Sequence, residues 1–287
     1  MGQTCLMTVD VEDWFHLVGA GLDYQFKHVS GGNETWGVYE SRVARNTEWL
    51  LDELDAVGAK CTFFVLGWVA DRYPELVAGI SCRGHEVASH GYWHRIIRGQ
   101  TQTDFREDVR RSRGVLEDIT GLPVLGYRAS TATINEWAVE VLADEGFVYD
   151  ASLFPVSYHD VYGTLSRTQP DVPIERLDCG LWEVKFSTLR LGKFSLPWSG
   201  GGYFRLLPYP VFCRGIREVL RRCDVFCFYI HPWEIDENPP KLPDMRARYR
   251  IRRYVGINQA RSRLRRLLRD FSFTSVSDAL GKIENKE

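Results

Sequence analysis

The sequence predicts an α/β protein built on a parallel sheet with crossover helices. Short apolar runs, typical of buried strands, alternate along the chain with amphipathic segments at helical spacing. A repeated strand, helix, strand order is characteristic of parallel strands connected by helices. Polar groups follow directly on several of the apolar runs, and functional groups of parallel sheets gather at the carboxyl ends of strands. The predicted strands are 5–11, 61–66, 84–88, 124–128, 147–149, 181–184, 186–189, 225–230 and 271–276.

Capping residues delimit several of the predicted helices. Thr103 and Asn135 each precede an amphipathic segment, and their side-chain oxygens can accept hydrogen bonds from N–H groups of a first helical turn. Gly58, Gly121 and Gly146 are predicted to end helices, because glycine readily adopts the left-handed conformation that follows a helix. Further helices are predicted over 69–80 and 209–222, a long loop over 16–40, and a frayed tail after residue 278.

The overall composition excludes several classes of protein. The 287 residues are 44% hydrophobic, which is enough for a sizeable core, and a net charge of −2 gives no overall attraction to nucleic acid. No apolar stretch approaches the roughly 20 residues of a spanning helix and no signal peptide is recognised, so we expect a cytoplasmic protein without a transmembrane segment. The seven cysteines are scattered without a Cys-x-x-Cys pair, which predicts reduced thiols.

An arginine-rich segment lies near the C-terminus. Ten arginines fall between residues 246 and 269, interleaved with apolar positions. One interpretation is a patch that contacts a polyanion or an anionic membrane surface. The other, which we prefer, is an amphipathic closing helix with a solvated basic face. Peripheral membrane contact is therefore an open hypothesis from the sequence.

Polar side chains follow five of the predicted strands and should meet at one rim of the sheet. These side chains are Asp10, Glu12, Asp13, His90, His94, Arg128, Asp150 and His231. His90 and His94 are four residues apart, so both imidazoles can reach one metal ion. Either Glu12 or Asp13 can supply the carboxylate ligand, and strand alternation slightly favours Glu12 because it places that residue on the same side as Asp10.

Such a rim indicates a hydrolase. One carboxylate and two histidines leave open positions on Zn²⁺ or a similar divalent ion, as catalytic sites do. Water bound there has a pKa of roughly 7 and is a nucleophile at neutral pH. A second carboxylate can act as base on that water, and a histidine on the opposite wall can protonate the leaving group. The arrangement suits hydrolysis of an amide or an ester.

Six motifs give the chain a resemblance to a known family. They are TVDVEDWF at 8–15, TFFVLG at 62–67, GHEVASHGYWH at 84–94, YRAS at 127–130, YDASLFP at 149–155 and HPWE at 231–234. The chain resembles the polysaccharide deacetylases of carbohydrate esterase family 4, the NodB-homology domain, and within them the branch associated with exosortase-type exopolysaccharide clusters. The resemblance spans nearly the whole chain.

The resemblance implies a fold and an activity. The fold would be a distorted (β/α)7-type barrel with parallel strands, forming a single domain over residues 1–287 with a family-specific C-terminal extension from about residue 236. The activity would be metal-dependent removal of N-acetyl groups from N-acetylhexosamine units of a polysaccharide or its precursor, in exopolysaccharide biosynthesis. The cofactor would be Zn²⁺ or another divalent metal such as Co²⁺, and the partner a glycan.

The resemblance also assigns roles to individual residues. Asp10 would be the general base, oriented by Arg128, and His231 the general acid, tuned by Asp150. His90 and His94 would hold the metal, together with Glu12 or Asp13. The substrate would meet the backbone near Ser130 and Thr131 and an acetyl pocket of Leu153 and Phe154. Independently of the resemblance, the glycine-rich segment 199–205 predicts a tight loop that carries Tyr203 and an arginine over the cleft. His16, His28, His85 and His159 are expected to be non-catalytic.

Two motifs depart from the family pattern. Asp10 is followed by Val11 rather than by a second aspartate, and Arg128 is followed by Ala-Ser-Thr where the family more often has a proline two residues after the arginine. Two alternative functions are a metal-assisted amidase acting on a small cyclic amide or ureide, and a non-catalytic glycan-binding protein. The presence of Asp10, both histidine ligands and His231 argues against the second alternative.

Overall fold

Parallel strands alternate with helices along the chain, as the sequence predicts. The structure, a computed structural model, describes residues 2–17, 33–156, 161–192, 194–242 and 245–284. Its strands are β1 (Thr4–Val11), β2 (Thr62–Val65), β3 (Glu86–Ser89), β4 (Gly126–Tyr127), β5 (Tyr149–Asp150), β6 (Ile174–Arg176), β7 (Trp182–Val184), β8 (Thr188–Leu191), β9 (Phe194–Pro197), β10 (Val225–Ile230) and β11 (Phe273–Thr274). Its α-helices are α1 (Val43–Asp55), α2 (Gly67–Arg72), α3 (Pro74–Cys82), α4 (Gln102–Thr120), α5 (Glu136–Asp144), α6 (Gly201–Leu206), α7 (Tyr209–Cys223), α8 (Ala247–Tyr254), α9 (Ile257–Asp270) and α10 (Val276–Glu284).

The strands form a mostly parallel sheet, curled into a half-barrel. Within the described residues, nine strands run in the order β10-β1-β2-β3-β4-β5-β7-β6, with β11 paired to β1. The antiparallel pairing of this sheet is between β6 and β7, at one end. The predicted α/β class with parallel strands in a distorted barrel is confirmed. A separate β8–β9 hairpin replaces the single strand predicted at 186–189.

The two faces of the sheet carry separate apolar clusters. Side chains alternate along β1, so Leu6 and Met7 point to opposite faces. Leu6 packs in one cluster with Phe64 of β2 and with Val276 and Leu280 of α10. Helix α10 therefore covers this face of the sheet, and the prediction of a frayed C-terminal tail is wrong.

Helix α4 begins two residues earlier than the sequence indicates. Thr101 Oγ1 accepts a hydrogen bond from the N–H of Asp104 at 3.1 Å, and the Asp104 carboxylate accepts one from the N–H of Thr101 at 3.3 Å. This reciprocal capping box outweighs the single acceptor offered by Thr103, so the prediction of Thr103 as the cap is wrong. Asn135 caps α5 as predicted, accepting from the N–H of Ala138 at 3.0 Å.

The arginine-rich segment forms two helices rather than one. Helices α8 and α9 are separated by Val255 and Gly256. Gly256 has a φ of 66°, and a Cβ atom there would lie 2.3 Å from the carbonyl oxygen of Arg205. Only glycine fits this position, because it tolerates both the left-handed backbone and the close approach. The single helix predicted over 246–269 is therefore wrong.

Arginines of α9 take part in intramolecular contacts. Arg263 donates to the carbonyl oxygens of Phe204, Arg205 and Leu207 at 2.9–3.0 Å. Arg265 pairs with Glu53 of α1 at 2.7 Å. These contacts match the preferred interpretation of α9 as a closing helix. Across the described ranges, no helix combines the length and the hydropathy that crossing a bilayer requires.

Candidate metal and catalytic site

Side chains from four parallel strands meet at the carboxyl end of the sheet. Strands β1 and β10 are paired in register, so Asp10 and His231 emerge beside each other. Strands β3 and β4 likewise bring His90 next to Arg128. Asp10, His90 and Arg128 are buried and His231 is partly buried, so these groups interact in a medium of low dielectric constant.

Glu12, His90 and His94 form a cluster with the chemistry of a metal site. Their potential ligand atoms all lie within 4.8 Å of one another. Nε2 of His94 lies 2.7 Å from Oε2 of Glu12, and all three residues are buried. The chain turns at Gly91, which has a φ of 72°, and His94 itself has a φ of 51°. The two histidines therefore converge from a tight turn rather than from a helix.

Hydrogen bonds and burial favour the protonation states that metal ligands require. Nδ1 of His90 lies 2.8 Å from the carbonyl oxygen of Arg128, which makes Nδ1 the protonated nitrogen and leaves the lone pair on Nε2. Burial lowers the pKa of His90 to about 4, so its imidazole is neutral at pH 7. Burial opposes ionisation of Glu12, but His94 and His231 hold the pKa of that carboxyl well below its usual value.

Asp13 lies outside this cluster. Its Oδ2 accepts hydrogen bonds from the N–H groups of Arg42 and Val43 at 2.8 and 3.1 Å, and from the hydroxyl of Ser41 at 2.6 Å. Asp13 thereby satisfies N–H groups at the start of α1, which no residue within that helix can do. The expectation that Asp13 could be the metal carboxylate is wrong, because Glu12 takes the place beside the histidines.

Arg128 holds Asp10 in one orientation. Nη1 of Arg128 donates to Oδ1 of Asp10 at 2.7 Å and to Oγ1 of Thr8 at 2.8 Å, while Nε donates to the carbonyl oxygen of Ala151 at 2.9 Å. The guanidinium also lies 4.1 Å above the ring of Phe64. One oxygen of Asp10 is thus fixed, and Oδ2 is left for a molecule in the cavity.

His231 is paired with Glu234, three residues later. Nδ1 of His231 lies 2.7 Å from Oε1 of Glu234, and Oε2 of Glu234 accepts from Nε of Arg205 at 2.8 Å. Burial would raise the pKa of Glu234, but Arg205 and His231 lower it to about 2. Burial would lower the pKa of His231, but Glu12, Glu234 and Asp10 raise it to about 9. The imidazole is therefore a cation at neutral pH, as a proton donor must be.

Asp150 is not the partner of His231, which corrects the expectation drawn from the family. Both oxygens of Asp150 accept from Ser152, from its N–H at 3.0 Å and its hydroxyl at 2.6 Å. Asp150 also lies opposite Glu183 on the neighbouring strand, and burial raises the pKa of Asp150 to about 6. Sequence reasoning missed Glu234. The available signal was the His-Pro-x-Glu spacing, in which the glutamate side chain can reach back to the first residue.

The run of three glycines serves close packing. A Cβ atom at Gly201 would lie 2.3 Å from Oε2 of Glu234, and one at Gly200 would lie 2.6 Å from the hydroxyl of Tyr229. The contact at Gly202 would be an ordinary 4.0 Å. The predicted tight loop over the cleft is wrong, because helix α6 begins at Gly201 and approaches the His231 pair directly.

A cavity of about 580 Å³ opens above these residues. Its apolar and aromatic wall includes Ala132, Phe154, Tyr162, Phe186, Tyr229 and Trp233. Thr131 also lines the cavity, with a φ of 54° that exposes its backbone in an unusual conformation. Ser130, Leu153 and Tyr203 do not line it, because Ser130 is buried and the other two pack against the core. The expectation of substrate contact is therefore not met for these three.

The other histidines in the described residues lie outside the cavity wall. Nδ1 of His16 accepts from the N–H of Asp13 at 2.8 Å, and its ring packs 4.4 Å from the ring of Trp36. His85 is buried beside Phe63. His28 and His159, also expected to be non-catalytic, lie outside the described residues.

Comparison with known proteins agrees with the motifs. Residues 36–149 match the family model described as polysaccharide deacetylase. The chain therefore carries a polysaccharide deacetylase domain. Residues 151–281 match a second model, described as a domain of unknown function, DUF3473. The association with exosortase clusters stays a prediction.

Curated relatives match part of the length of this chain. It is 31% identical over 126 residues to the peptidoglycan deacetylase-like protein FGM2 of Gibberella zeae, covering 43% of this chain and 36% of the relative. It is 29% identical over 98 residues to the peptidoglycan-N-acetylglucosamine deacetylase of Bacillus cereus, covering 33% of this chain and 36% of the relative. The chain thus matches about a third of the length of each relative.

Solved structures share the fold of this chain. A Mycobacterium smegmatis structure assigned to the polysaccharide deacetylases superposes with a TM-score of 0.63 at 22% identity, covering 100% of this chain and 92% of the other. A carbohydrate esterase family 4 pseudoenzyme from Bacillus anthracis gives a TM-score of 0.50 at 11% identity, covering 96% of this chain and 65% of the other. At these identities the comparison establishes the fold alone.

Proposed function

We propose that this polysaccharide deacetylase is a metal-dependent hydrolase that removes N-acetyl groups from N-acetylhexosamine units of a glycan. The observation that carries the proposal is the buried cluster of Glu12, His90 and His94, whose ligand atoms lie within 4.8 Å of one another at the floor of the cavity. Asp10 and His231 border the same cluster and supply the two groups that amide hydrolysis needs.

The donor set fits a divalent cation. Oε2 of Glu12 is buried without a hydrogen-bond partner among the described residues, only 2.7 Å from Nε2 of His94. Two ligand atoms held so close together are stabilised by a shared cation, and one carboxylate with two imidazoles suits Zn²⁺ or Co²⁺. The bound cation would polarise the acetyl carbonyl and acidify the attacking water.

Asp10 is the proposed general base. Arg128 occupies its Oδ1, so the attacking water would lose its proton to Oδ2, the oxygen that faces the cavity. The arginine keeps that carboxylate in position. Because Arg128 is itself fixed by Thr8 and Ala151, little reorganisation is needed during the reaction.

His231 is the proposed general acid. Its Nε2 lies 3.9 Å from Oδ2 of Asp10, so a substrate between the two would meet a base and an acid. Glu234 holds Nδ1–H and keeps the imidazole charged, which leaves the Nε2 proton for the amine nitrogen as the C–N bond breaks. The acetyl methyl group would lie against Phe154 and Phe186, and the Thr131 backbone is placed to contact the carbonyl oxygen.

The first test is acetate release from N-acetylglucosamine oligomers by metal-free protein, with and without added Zn²⁺ or Co²⁺. We expect release that depends on metal and is abolished in His94→Ala, with His85→Ala, an equally buried histidine outside the cavity, as the control. Release that survives both metal removal and His94→Ala would overturn the proposal. Because the motifs resemble the exosortase-associated branch, an exopolysaccharide or its precursor is the first natural glycan to test.

A further inference from the structure

Two arginines of α8 line the outer wall of the catalytic cavity. Arg248 and Arg252 are exposed and lie four residues apart, so they share one face of the helix. The cavity that they border is the one whose floor holds Glu12, His90 and His94. A molecule bound at the floor and extending outward would therefore meet both guanidinium groups.

Among the described residues these two exposed arginines have no carboxylate partner, unlike Arg128 and Arg205 of the same wall. The remaining wall arginine, Arg253, is buried and donates to the carbonyl oxygen of Trp14. Arg128 pairs with Asp10 and Arg205 pairs with Glu234, each with both members buried. In contrast, no carboxylate of the described residues lies within ion-pair distance of Arg248 or Arg252. Two like charges at this helical spacing repel each other, so the pair is unfavourable until an anion bridges it.

Phenol groups hold the two guanidinium groups without neutralising them. Nη2 of Arg248 donates to the hydroxyl of Tyr249 at 2.8 Å. Although the Arg252 side chain is exposed at its surface, partial desolvation of its guanidinium by the cavity wall would lower its pKa; the adjacent phenols of Tyr162 and Tyr229 outweigh this and raise the pKa. Burial also raises the pKa of Tyr229 well above its ordinary value, so that phenol is uncharged at neutral pH. Both arginines thus remain oriented cations.

We propose that Arg248 and Arg252 form a subsite for an anionic group, a carboxylate or a phosphate, carried by the glycan whose acetamide reaches the floor of the cavity. Guanidinium pairs bind such groups through charge-assisted and often bidentate hydrogen bonds. The inference rests on the proposed function and specifies its substrate class: an N-acetylhexosamine with an acidic sugar or a phosphate as neighbour. A neutral chain of N-acetylglucosamine units is then the poorer substrate.

The test compares three acetylated probes that differ in charge. They are N-acetylchitotetraose, which is neutral, a hyaluronan tetrasaccharide, which carries carboxylates, and N-acetylglucosamine 1-phosphate. Acetate release is measured with zinc-loaded wild type, with the double variant Arg248→Gln/Arg252→Gln, and with Arg250→Gln, an exposed residue of the same helix outside the cavity wall. Thermal unfolding of each variant controls for folding.

We expect wild type to favour at least one anionic probe, and the double variant to raise KM for that probe by about tenfold or more while leaving the neutral probe within about twofold. The favoured probe identifies the anion as a carboxylate or a phosphate. Added NaCl should raise KM for the anionic probe in wild type and have a smaller effect in the double variant. Equal rates on charged and neutral probes in wild type, or equal losses on both in the double variant, would overturn the subsite.

A binding measurement separates failure of the subsite from failure of the proposed activity. Calorimetric titration of the same probes into each protein does not require turnover. If no probe releases acetate, the proposed deacetylation is contradicted. Binding of the anionic probes that is weaker in the double variant than in wild type and Arg250→Gln would still support the subsite. Binding of the anionic probes that is unchanged in the double variant would overturn the subsite whatever the activity.

Discussion

Nδ1 of His231 lies 2.7 Å from Oε1 of Glu234, and the second oxygen of Glu234 is held by Arg205. The three residues form a chain of alternating charge, buried at Glu234 and Arg205 and partly exposed at His231, that ends at the cavity. Glu234 is the one anion between two cations, so its loss would leave Arg205 without a carboxylate partner among the described residues, and a charge left alone at this depth is costly. The chain therefore fixes both the orientation of the imidazole and its protonation state.

Glu234→Gln should reduce deacetylation and lower the pKa of His231. Loss of the carboxylate charge removes one cause of the raised pKa of about 9, so His231 should titrate closer to 6.5 in NMR spectra of the metal-free variant. We expect kcat at pH 8 to fall by about 10- to 100-fold. Glu237→Gln, an exposed neighbour, is the control. A variant whose His231 pKa does not move would contradict this role.

The same pKa predicts how stability depends on pH. A histidine whose pKa is raised on folding stabilises the protein fully below its unfolded value and loses that contribution as pH rises through the folded value. For His231 the window runs from 6.5 to about 9. The free energy of unfolding of metal-free wild type should therefore decline across this window by on the order of 1–3 kcal/mol, and less in Glu234→Gln. Urea titrations at each pH measure it.

Gly201→Ala should damage the site, whereas Gly202→Ala should not. The new methyl at position 201 would lie 2.3 Å from Oε2 of Glu234, while that at position 202 would have ordinary contacts. Displacement of Glu234 should shift the imidazole of His231 and lower kcat about tenfold or more. Small shifts of a group that acts on the substrate lower the reaction rate by large factors. Acetate release by the two variants, at matched folded fraction, provides the measurement. Equal activity of the two variants would show that α6 shifts to make room for the methyl group at position 201 without moving Glu234.

Glu12→Gln and Asp13→Asn should separate metal binding from helix capping. Glu12→Gln should lower zinc affinity about tenfold or more, because it removes the charged ligand of the cluster. Asp13→Asn should keep one bound zinc but destabilise the fold by about 0.5–2 kcal/mol, since it weakens the cap of α1. Zinc content after dialysis and urea unfolding measure the two effects. Loss of zinc in Asp13→Asn would show that Asp13 contributes to the site.

Asp150→Asn should alter stability around pH 6 without moving the pKa of His231. Asp150 and Glu183 are buried opposite each other, and burial raises the pKa of both. A raised carboxyl pKa gives stability that is present below the ordinary value of 3.8 and lost as pH rises through about 6. Asp150→Asn should therefore flatten the decline in unfolding free energy over this range. A changed pKa of His231 in this variant would instead show that Asp150 interacts with the His231 imidazole.

The parallel sheet and the group of polar residues at its carboxyl edge could be predicted from the sequence. Each strand is an apolar run that is followed at once by a polar group, and parallel strands put those groups at one edge. His90 and Arg128 could be placed together in this way, because only the order of strands was needed. Strand alternation favoured Glu12 over Asp13 only slightly, because the choice depends on the start of α1, about 30 residues later, whose N–H groups bind Asp13.

Contacts between distant segments explain the other differences. Family motifs assigned Asp150 to His231, but the register of β5 and β7 places Asp150 opposite Glu183 instead. The glycines at 201 and 256 were not interpretable as packing sites, because what they pack against, Glu234 and the Arg205 carbonyl, is distant in sequence. Periodicity predicts which face of an element is buried; it does not identify the atom that the face meets.

Strand β1 precedes both segments by which the chain is matched to known families. It lies between β10 and β2, and Met7 and Val9 on it are fully buried. A fragment trimmed to residues 36–281 would keep both matched segments yet lose Asp10 and Glu12 and expose the edges of β2 and β10 to solvent. Open edges of that kind invite aggregation. The smallest unit that keeps Asp10 and Glu12 in a closed sheet is therefore larger than the region that the two family models match.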